Sequence, residues 1–456
     1  MIKKLLLAIG LFSLNFLSIA TAEVLYVRGA VLDFYKDPGQ STQADSYHYF
    51  PDGLLIVQDG HVKKAGNYNT LKTDIPHGAK IVSYPKGLIV PGFIDTHIHY
   101  PQVDMIAADN GGQLLDWLTQ YTFPFEKKMQ NQQYSKDSAN FFIDELLRNG
   151  TTTANIFAAI YPQSIDALFA VADQKHMRII TGLDMADRNV PDYLIQKPAI
   201  AIAQSEDLIK KWHEKSGTRL IYSIEFRFAP TTTPVLFEQI EALKQRYPTV
   251  HIHTHISENK AEVAWVKQLF HTDNYLDVYQ RYNLLGPNTL LAHGVWLTTP
   301  ELQEMSKTKT SVAFCPSSNL FLGSGLFNLA KVTSNQVTVG LGTDVGAGTS
   351  FSLLQTLNEA YKVLQMQQQT LTGLRGFYLA TLGGAKALNL EDKLGNFMPG
   401  KEADFVVLNL EGATPLLKRR LSYTDTLEQK LFVLMMLGDD RSVMATYVDG
   451  ALVYSA

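Results

Sequence analysis

The stretch Pro91-Gly92-Phe93-Ile94-Asp95-Thr96-His97-Ile98-His99-Tyr100-Pro101-Gln102 sets two histidines two residues apart at the end of an apolar run. On a strand, residues i and i+2 point to the same face. His97 and His99 therefore stand side by side where a buried strand ends, which suits one metal ion. A His-x-His pair alone is weak, because two such residues are often plain core histidines. Three further signals follow in order, each at the end of an apolar run: His255-Ile256-Ser257-Glu258, Leu291-Ala292-His293-Gly294 and Gly342-Thr343-Asp344. The ordered set points to a metal-dependent hydrolase.

Working outward, apolar segments at 88–99, 151–158, 178–185, 220–228, 250–256, 289–295, 311–314 and 337–343 read as eight strands. Helical stretches at 134–149, 164–176, 205–213, 235–247 and 260–269 lie between them. Eight alternating units predict a (β/α)8 TIM-like barrel. In such a barrel the active-site groups gather at the C-terminal strand ends, and all four signals fall there. The rival, an open doubly wound sheet, wants a glycine-rich phosphate turn after an early strand. No G-x-G-x-x-G follows the early strands here. Short strands at 24–32 and 53–57, with a hairpin turn at Asp59-Gly60, are echoed by 403–408 and 445–454. Both ends are expected to build one small β-sandwich domain, from 23–87 and 396–456, around a barrel over 88–395.

Composition limits the partners. With 46% hydrophobic and 18% charged residues the chain is an ordinary globular protein. A net charge of -4 and the lack of a long basic run argue against nucleic acid. Residues 1–22 read as a secretory signal peptide: Lys3-Lys4, an apolar stretch over 5–19, then Ala20-Thr21-Ala22 as the cleavage site. The stretch is short for a membrane anchor. A periplasmic or secreted protein, free of the membrane after cleavage behind Ala22, is expected. The single cysteine, Cys315, excludes an intrachain disulfide and fits export to an oxidising compartment.

Three imidazoles, His97, His99 and His255, with the Asp344 carboxylate suit one Zn²⁺ per chain; such a site accepts iron as well. His251, His253 and His255 share one strand face at about 6.6 Å spacing. Only one can meet a metal at the strand end, and His255 is the expected one, with His253 beneath it and His251 deeper. Asp344 taken alone also admits a reading as a turn or helix-cap residue. Glu258 is placed to carry protons between water and a ring nitrogen, or to begin a helix. His293 is placed to hydrogen-bond the attacking hydroxide or a tetrahedral intermediate. A metal brings the pKa of bound water to about 7; Asp344 would accept its proton and Glu258 would protonate the substrate. This chemistry means hydrolysis at an sp² carbon and leaves a lactam, an amidine-like ring carbon and a chloro-heteroaromatic open.

Over roughly residues 24–454 the chain resembles the amidohydrolase superfamily and, within it, the guanine deaminase branch. Beyond the opening stretch, the resemblance is carried by Gln113-Leu114-Leu115-Asp116-Trp117-Leu118, Tyr121-Thr122-Phe123-Pro124, Asn149-Gly150-Thr151-Thr152-Thr153-Ala154 and Arg227-Phe228-Ala229-Pro230-Thr231. Phe314-Cys315-Pro316-Ser317-Ser318-Asn319-Leu320 and Gly342-Thr343-Asp344-Val345-Gly346 add to it. It implies His97, His99, His255 and Asp344 as zinc ligands and Glu258 and His293 as the acid/base pair, with Asp344. It implies Gln102 and Arg227 as readers of the purine edge, Phe228 stacked on the ring, and His255 and Asp344 also against substrate. Trp117, Leu114 and Phe123 complete the wall or are plain core. The implied reaction is guanine plus water to xanthine plus ammonia, in purine catabolism or salvage, by a homodimer. The alternatives are deamination of a related ring (8-oxoguanine, pterin or s-triazine type) and a non-catalytic periplasmic purine-binding protein. Two features depart from the branch. Glu225-Phe226 stand where a Thr-Pro pair is usual, and Glu225, sharing strand parity with Arg227, is expected to pair with it and shift it. The family mostly works in the cytosol, so a signal peptide implies scavenging guanine outside the inner membrane.

Overall fold

The computed structural model describes residues 24–40, 43–108 and 112–456; the expected signal peptide, 1–22, lies outside the described residues. The strands are β1 (Val24–Phe34), β2 (Tyr47–Gln58), β3 (His61–Asn67), β4 (Ile81–Pro91), β5 (Phe93–His99), β6 (Thr151–Phe157), β7 (Arg178–Thr181) and β8 (Asp184–Met185). They continue with β9 (Leu220–Phe226), β10 (His251–Ile256), β11 (Thr289–His293), β12 (Ser311–Phe314), β13 (Val339–Leu341), β14 (Phe405–Asn409), β15 (Val443–Val448) and β16 (Ala451–Ser455).

Among the described residues, eight strands form a parallel sheet in the order β13-β12-β11-β10-β9-β7-β6-β5, with the two-residue β8 paired to β9. Helices such as Gln132–Arg148, Pro162–Gln174, Pro198–Trp212 and Pro234–Arg246 lie between its strands in the chain. Strands covered on both faces need apolar side chains on both, which is why they read as continuous runs rather than alternations; β5, β6, β9 and β10 are buried throughout. The barrel closes where β5 meets the chain leaving β13. The Asp344 amide donates to the His97 carbonyl at 2.8 Å. The Thr343 amide donates to Asp95 Oδ1 at 3.1 Å, and the Thr343 hydroxyl donates to Asp95 Oδ2. Only glycine permits this approach: a Cβ on Gly340 would lie 2.4 Å from Thr96 Cγ2, and one on Gly342 2.9 Å from His97 Cβ.

The small domain from both termini is one seven-stranded mixed sheet in the order β16-β15-β14-β4-β1-β2-β3. Val27, Leu55, Val62, Ile89, Phe405 and Tyr447 share one core cluster, and Tyr26, Leu54 and Ile56 of the same sheet belong to another. The turn between β2 and β3 has Asp59 and Gly60 at φ 52° and 75°, the left-handed pair that a tight two-residue hairpin requires. The apolar segment 88–99 is not one strand. β4 ends at Pro91, paired with Phe405 of β14, and β5 begins at Phe93, paired with Thr151 of β6. Gly92 alone separates the two sheets, and a Cβ there would lie 2.0 Å from Thr152 Oγ1.

The sheet is bolted to the N-terminal end of the barrel by buried charges. Arg219 Nη2 meets Asp404 Oδ2 at 2.6 Å and Arg219 Nη1 meets Glu402 Oε2 at 2.5 Å, while the fully buried Arg178 also reaches Glu402. Removing one partner of a buried pair strands a charge at a cost of about 3–5 kcal/mol. Arg219→Ala should therefore lower unfolding free energy by about that amount in urea titration. Arg28→Ala, which breaks a half-exposed pair with Asp52, should change it by less than about 1 kcal/mol. Equal losses would show that burial does not decide the cost.

Candidate active site

The C-terminal rim of the barrel turns sharply at three of its strand ends. Ser257, His293 and Asp344 adopt φ of 48°, 73° and 52°, a left-handed region that non-glycine residues enter at a cost of order 1–3 kcal/mol each. The turns bring together the side chains that the sequence signals named. His99 Nε2 lies 3.2 Å from His97 Nε2 and 3.3 Å from His255 Nε2. Asp344 Oδ1 lies 3.2 Å from both His97 Nε2 and His99 Nε2. Three imidazole nitrogens and a carboxylate oxygen that converge on one spot leave no room for a ring proton between each pair. A tetrahedral shell with metal–nitrogen bonds of about 2.0–2.1 Å sets its ligand atoms about 3.3 Å apart. The donor set therefore fits a metal ion. His255 is held for that role by its other nitrogen, Nδ1, 2.7 Å from the Arg227 carbonyl. Burial lowers His99 to about 4, keeping its ring neutral at pH 7.

Beside this cluster stand Glu258 and His293. His293 Nε2 is 3.4 Å from Glu258 Oε2 and 3.8 Å from Asp344 Oδ2. Asn319 Nδ2 lies 3.0 Å from His293 Nδ1, so the ring proton faces the two carboxyls. Ser324 donates to Glu258 Oε1 at 3.0 Å. Asn259 caps helix Lys260–Phe270 with Glu262 in a capping box, which fixes the backbone at Glu258. Burial, then the Asp344 and Glu262 charges, push Glu258 well above the usual carboxylate range. Burial opposes ionisation of Asp344 too, but His97 and hydrogen bonds from His97 and His99 hold it well below that range. Two nearby carboxyls pushed in opposite directions divide into an acid and a base.

The cluster opens on a small, partly enclosed pocket. Gln102, Leu114, Trp117, Arg227, Phe228, His255 and Asp344, all expected to touch substrate, line it together with Leu118, Leu322 and Ala347. Phe123 lies behind this wall, with the Arg227 guanidinium 5.9 Å from its ring. Arg227 does not pair with Glu225. Its Nη2 donates to Glu126 Oε1 at 2.5 Å and to Asp184 Oδ2 at 3.1 Å. The parity argument fails because β9 ends at Phe226: Arg227 turns over the rim, while Glu225 stays in the barrel interior. Glu126 Oε1 also accepts from Gln102 Nε2 at 3.0 Å, so one buried carboxyl ties both candidate edge-reading side chains together.

Sequence reasoning passed over Glu126, Asp184, Asn319 and Ser324. Asp184 lay at the end of the third barrel segment and was open to the strand-end rule. The other three lie outside the barrel strands; Asn319 sits in the 314–320 stretch that carries the resemblance, but no role is read for it there.

Comparison with known proteins agrees with this geometry. The amidohydrolase family model matches residues 88–453. The chain is 51% identical over 430 residues to guanine deaminase of Escherichia coli (strain K12), covering 94% of this chain and 97% of that one. It is 34% identical over 375 residues to guanine deaminase of Homo sapiens, covering 80% and 82%. Among solved structures, the E. coli guanine deaminase superposes with a TM-score of 0.92 at 50% identity over 94% of this chain and 99% of that one. Guanine deaminase from C. acetobutylicum, solved with guanine bound in its active site, superposes with a TM-score of 0.85 at 28% identity over 95% and 100%. With most of its length matched in sequence and in fold, this chain belongs to the amidohydrolase family.

Proposed function

We propose that this chain is a zinc-dependent guanine deaminase, converting guanine and water to xanthine and ammonia in purine catabolism or salvage. The observation that carries the reading is one cavity with an acid/base group at its floor and a Gln102–Glu126–Arg227 clamp on its wall. The relatives named above support the same substrate.

Planar guanine packs on Phe228, with Leu114 and Trp117 keeping water from the ring. Arg227, held between Glu126 and Asp184, offers donors only and suits the acceptors O6 and N7. Gln102, whose Nε2 is engaged by Glu126 and His99, offers its carbonyl oxygen as an acceptor. His97, His99, His255 and Asp344 would hold the zinc, which when bound supplies Lewis acidity and a water of pKa about 7. Asp344 Oδ1 faces the ring nitrogens, so Oδ2 is left to take the proton of the attacking water as the C2–O bond forms. Glu258, which keeps its proton to unusually high pH, delivers it to N3. The Nε2–H of His293 hydrogen-bonds the oxygen arriving at C2. Asp344 then passes its proton to the exocyclic nitrogen, the C2–N bond breaks and ammonia leaves, and the proton of the C2 hydroxyl returns to Glu258 as the carbonyl forms. Residues 1–22 are read as an export signal; a homodimer is expected from the resemblance.

Purified protein should release ammonia and xanthine from guanine in equal amounts with about one zinc per chain. An inert protein with a full metal site would shift the substrate to another aminated heterocycle. Glu258→Gln should reduce turnover by roughly 10²–10⁴ with zinc content unchanged, and normal turnover would remove Glu258 from the proton path. Arg227→Lys, which keeps a cation between Glu126 and Asp184 but loses the donor fork, should raise KM for guanine while the protein stays folded and zinc-loaded; an unchanged KM would remove the arginine from substrate reading. A mature N-terminus at Glu23 in the periplasm would support export, whereas protein found only in the cytosol with Met1 intact would end that reading.

A further inference from the structure

Beneath the metal-facing cluster, two buried polar atoms without hydrogen-bond partners face each other. They are Glu225 Oε1 and His253 Nδ1, 3.8 Å apart. Register puts them there, because His253 and Glu225 are directly opposed in the parallel pairing of β9 and β10. Each is anchored by its other polar atom. Glu225 Oε2 accepts from the Ala158 amide at 3.1 Å. His253 Nε2 lies 2.7 Å from His97 Nδ1, with the two rings at 89°. All three side chains are fully buried.

Counting protons gives the string a direction. A neutral imidazole carries one N–H. A His97 ring that lends Nε2 to a metal holds its proton on Nδ1 and donates it to His253 Nε2. His253 must then carry its own proton on Nδ1, which points at Glu225. The gap is too narrow for a bridging water, which needs two contacts of about 2.8 Å, so a shift of about 1 Å or less closes it directly. Charged or neutral, a carboxyl keeps an acceptor oxygen for that N–H.

We propose that Glu225 and His253 form with His97 a carboxyl–imidazole–imidazole string that orients His97 and strengthens it as a metal ligand, with Glu225 a positioning residue acting through His253. The inference rests on the metal-dependent reading above. Ligating histidines usually give their second N–H to a carboxylate, a carbonyl or water, as His255 does with the Arg227 carbonyl. His97 differs in reaching its carboxyl through a second imidazole.

The test is zinc affinity, measured by chelator competition on the full chain and three variants: Glu225→Gln, His253→Gln and the double variant. The two donors face different oxygens, Oε2 and Oε1, and glutamine turns one of these positions into an NH2 that cannot accept from either the Ala158 amide or His253 Nδ1. Glu225→Gln should therefore weaken zinc binding roughly 10–100-fold. In the His253→Gln background the same change should cost nothing further, because the string is already cut. An unchanged affinity, or losses that multiply in the double variant, would overturn the proposal. A crystal structure of the zinc-loaded wild-type protein tests it without any variant. Glu225 Oε1 should lie within about 2.7–3.2 Å of His253 Nδ1, and either atom turned to another partner would refute the string. Neither readout involves guanine, so a protein that binds zinc and leaves guanine intact fails the functional reading alone.

Discussion

The closure of the barrel between its first and last strands is the constraint on which the site depends. Asp95 and Thr343, 248 residues apart in the chain, are joined by hydrogen bonds at that seam. The same seam sets the Asp344 amide against the His97 carbonyl. Two of the four metal-facing side chains come from β5 and one follows β13, so no local segment can assemble the cluster. Glycines at 340 and 342 let the backbones approach, and a side chain at either would push Asp344 away from the histidines. The metal cluster is thus a consequence of sheet closure, and the cost of three strained strand-end residues is borne by the barrel that over-determines them.

Chemistry at the rim follows from environment more than from residue type. Glu258 and Asp344 are both buried carboxyls beside His293, yet one is pushed up and the other held down. The difference lies in neighbours. Asp344 faces imidazoles, whereas buried Glu258 faces the Asp344 and Glu262 charges, opposed only by the hydrogen bond from Ser324. Arg227 shows the same logic on the opposite wall: two acidic partners keep a buried guanidinium charged, and one of them also holds Gln102.

Much of this was legible in the chain because strand ends carry their own signature: an apolar run, then a polar residue that the run cannot accommodate. His97, His99, His255, His293 and Asp344 all have it, and the count of runs predicted the barrel. Three features were not legible. The passage from one sheet to the other at Gly92 is hidden inside a continuous apolar segment, since both strands are buried and read alike. The direction of Glu225 depended on where β9 stops, and strand parity has no meaning beyond that residue. Glu126 and Ser324 act from segments outside the barrel strands, where only the folded arrangement brings them to the pocket.

The mixed sheet has a consequence for the order of events in the life of the chain. β1 and β4 are made early, but β14, which pairs with β4, is made more than 300 residues later. At typical synthesis rates of roughly 5–20 residues per second, the first strands wait some tens of seconds for their neighbour. Arg178 and Arg219 likewise precede their counter-charges, Glu402 and Asp404, by well over a hundred residues of synthesis. Neither the terminal sheet nor the ion network can be completed before this last part of the chain has been made. A chain that stops short of residue 402 leaves two guanidinium groups with no buried counter-charge, so completeness of the chain is built into the stability of the barrel floor.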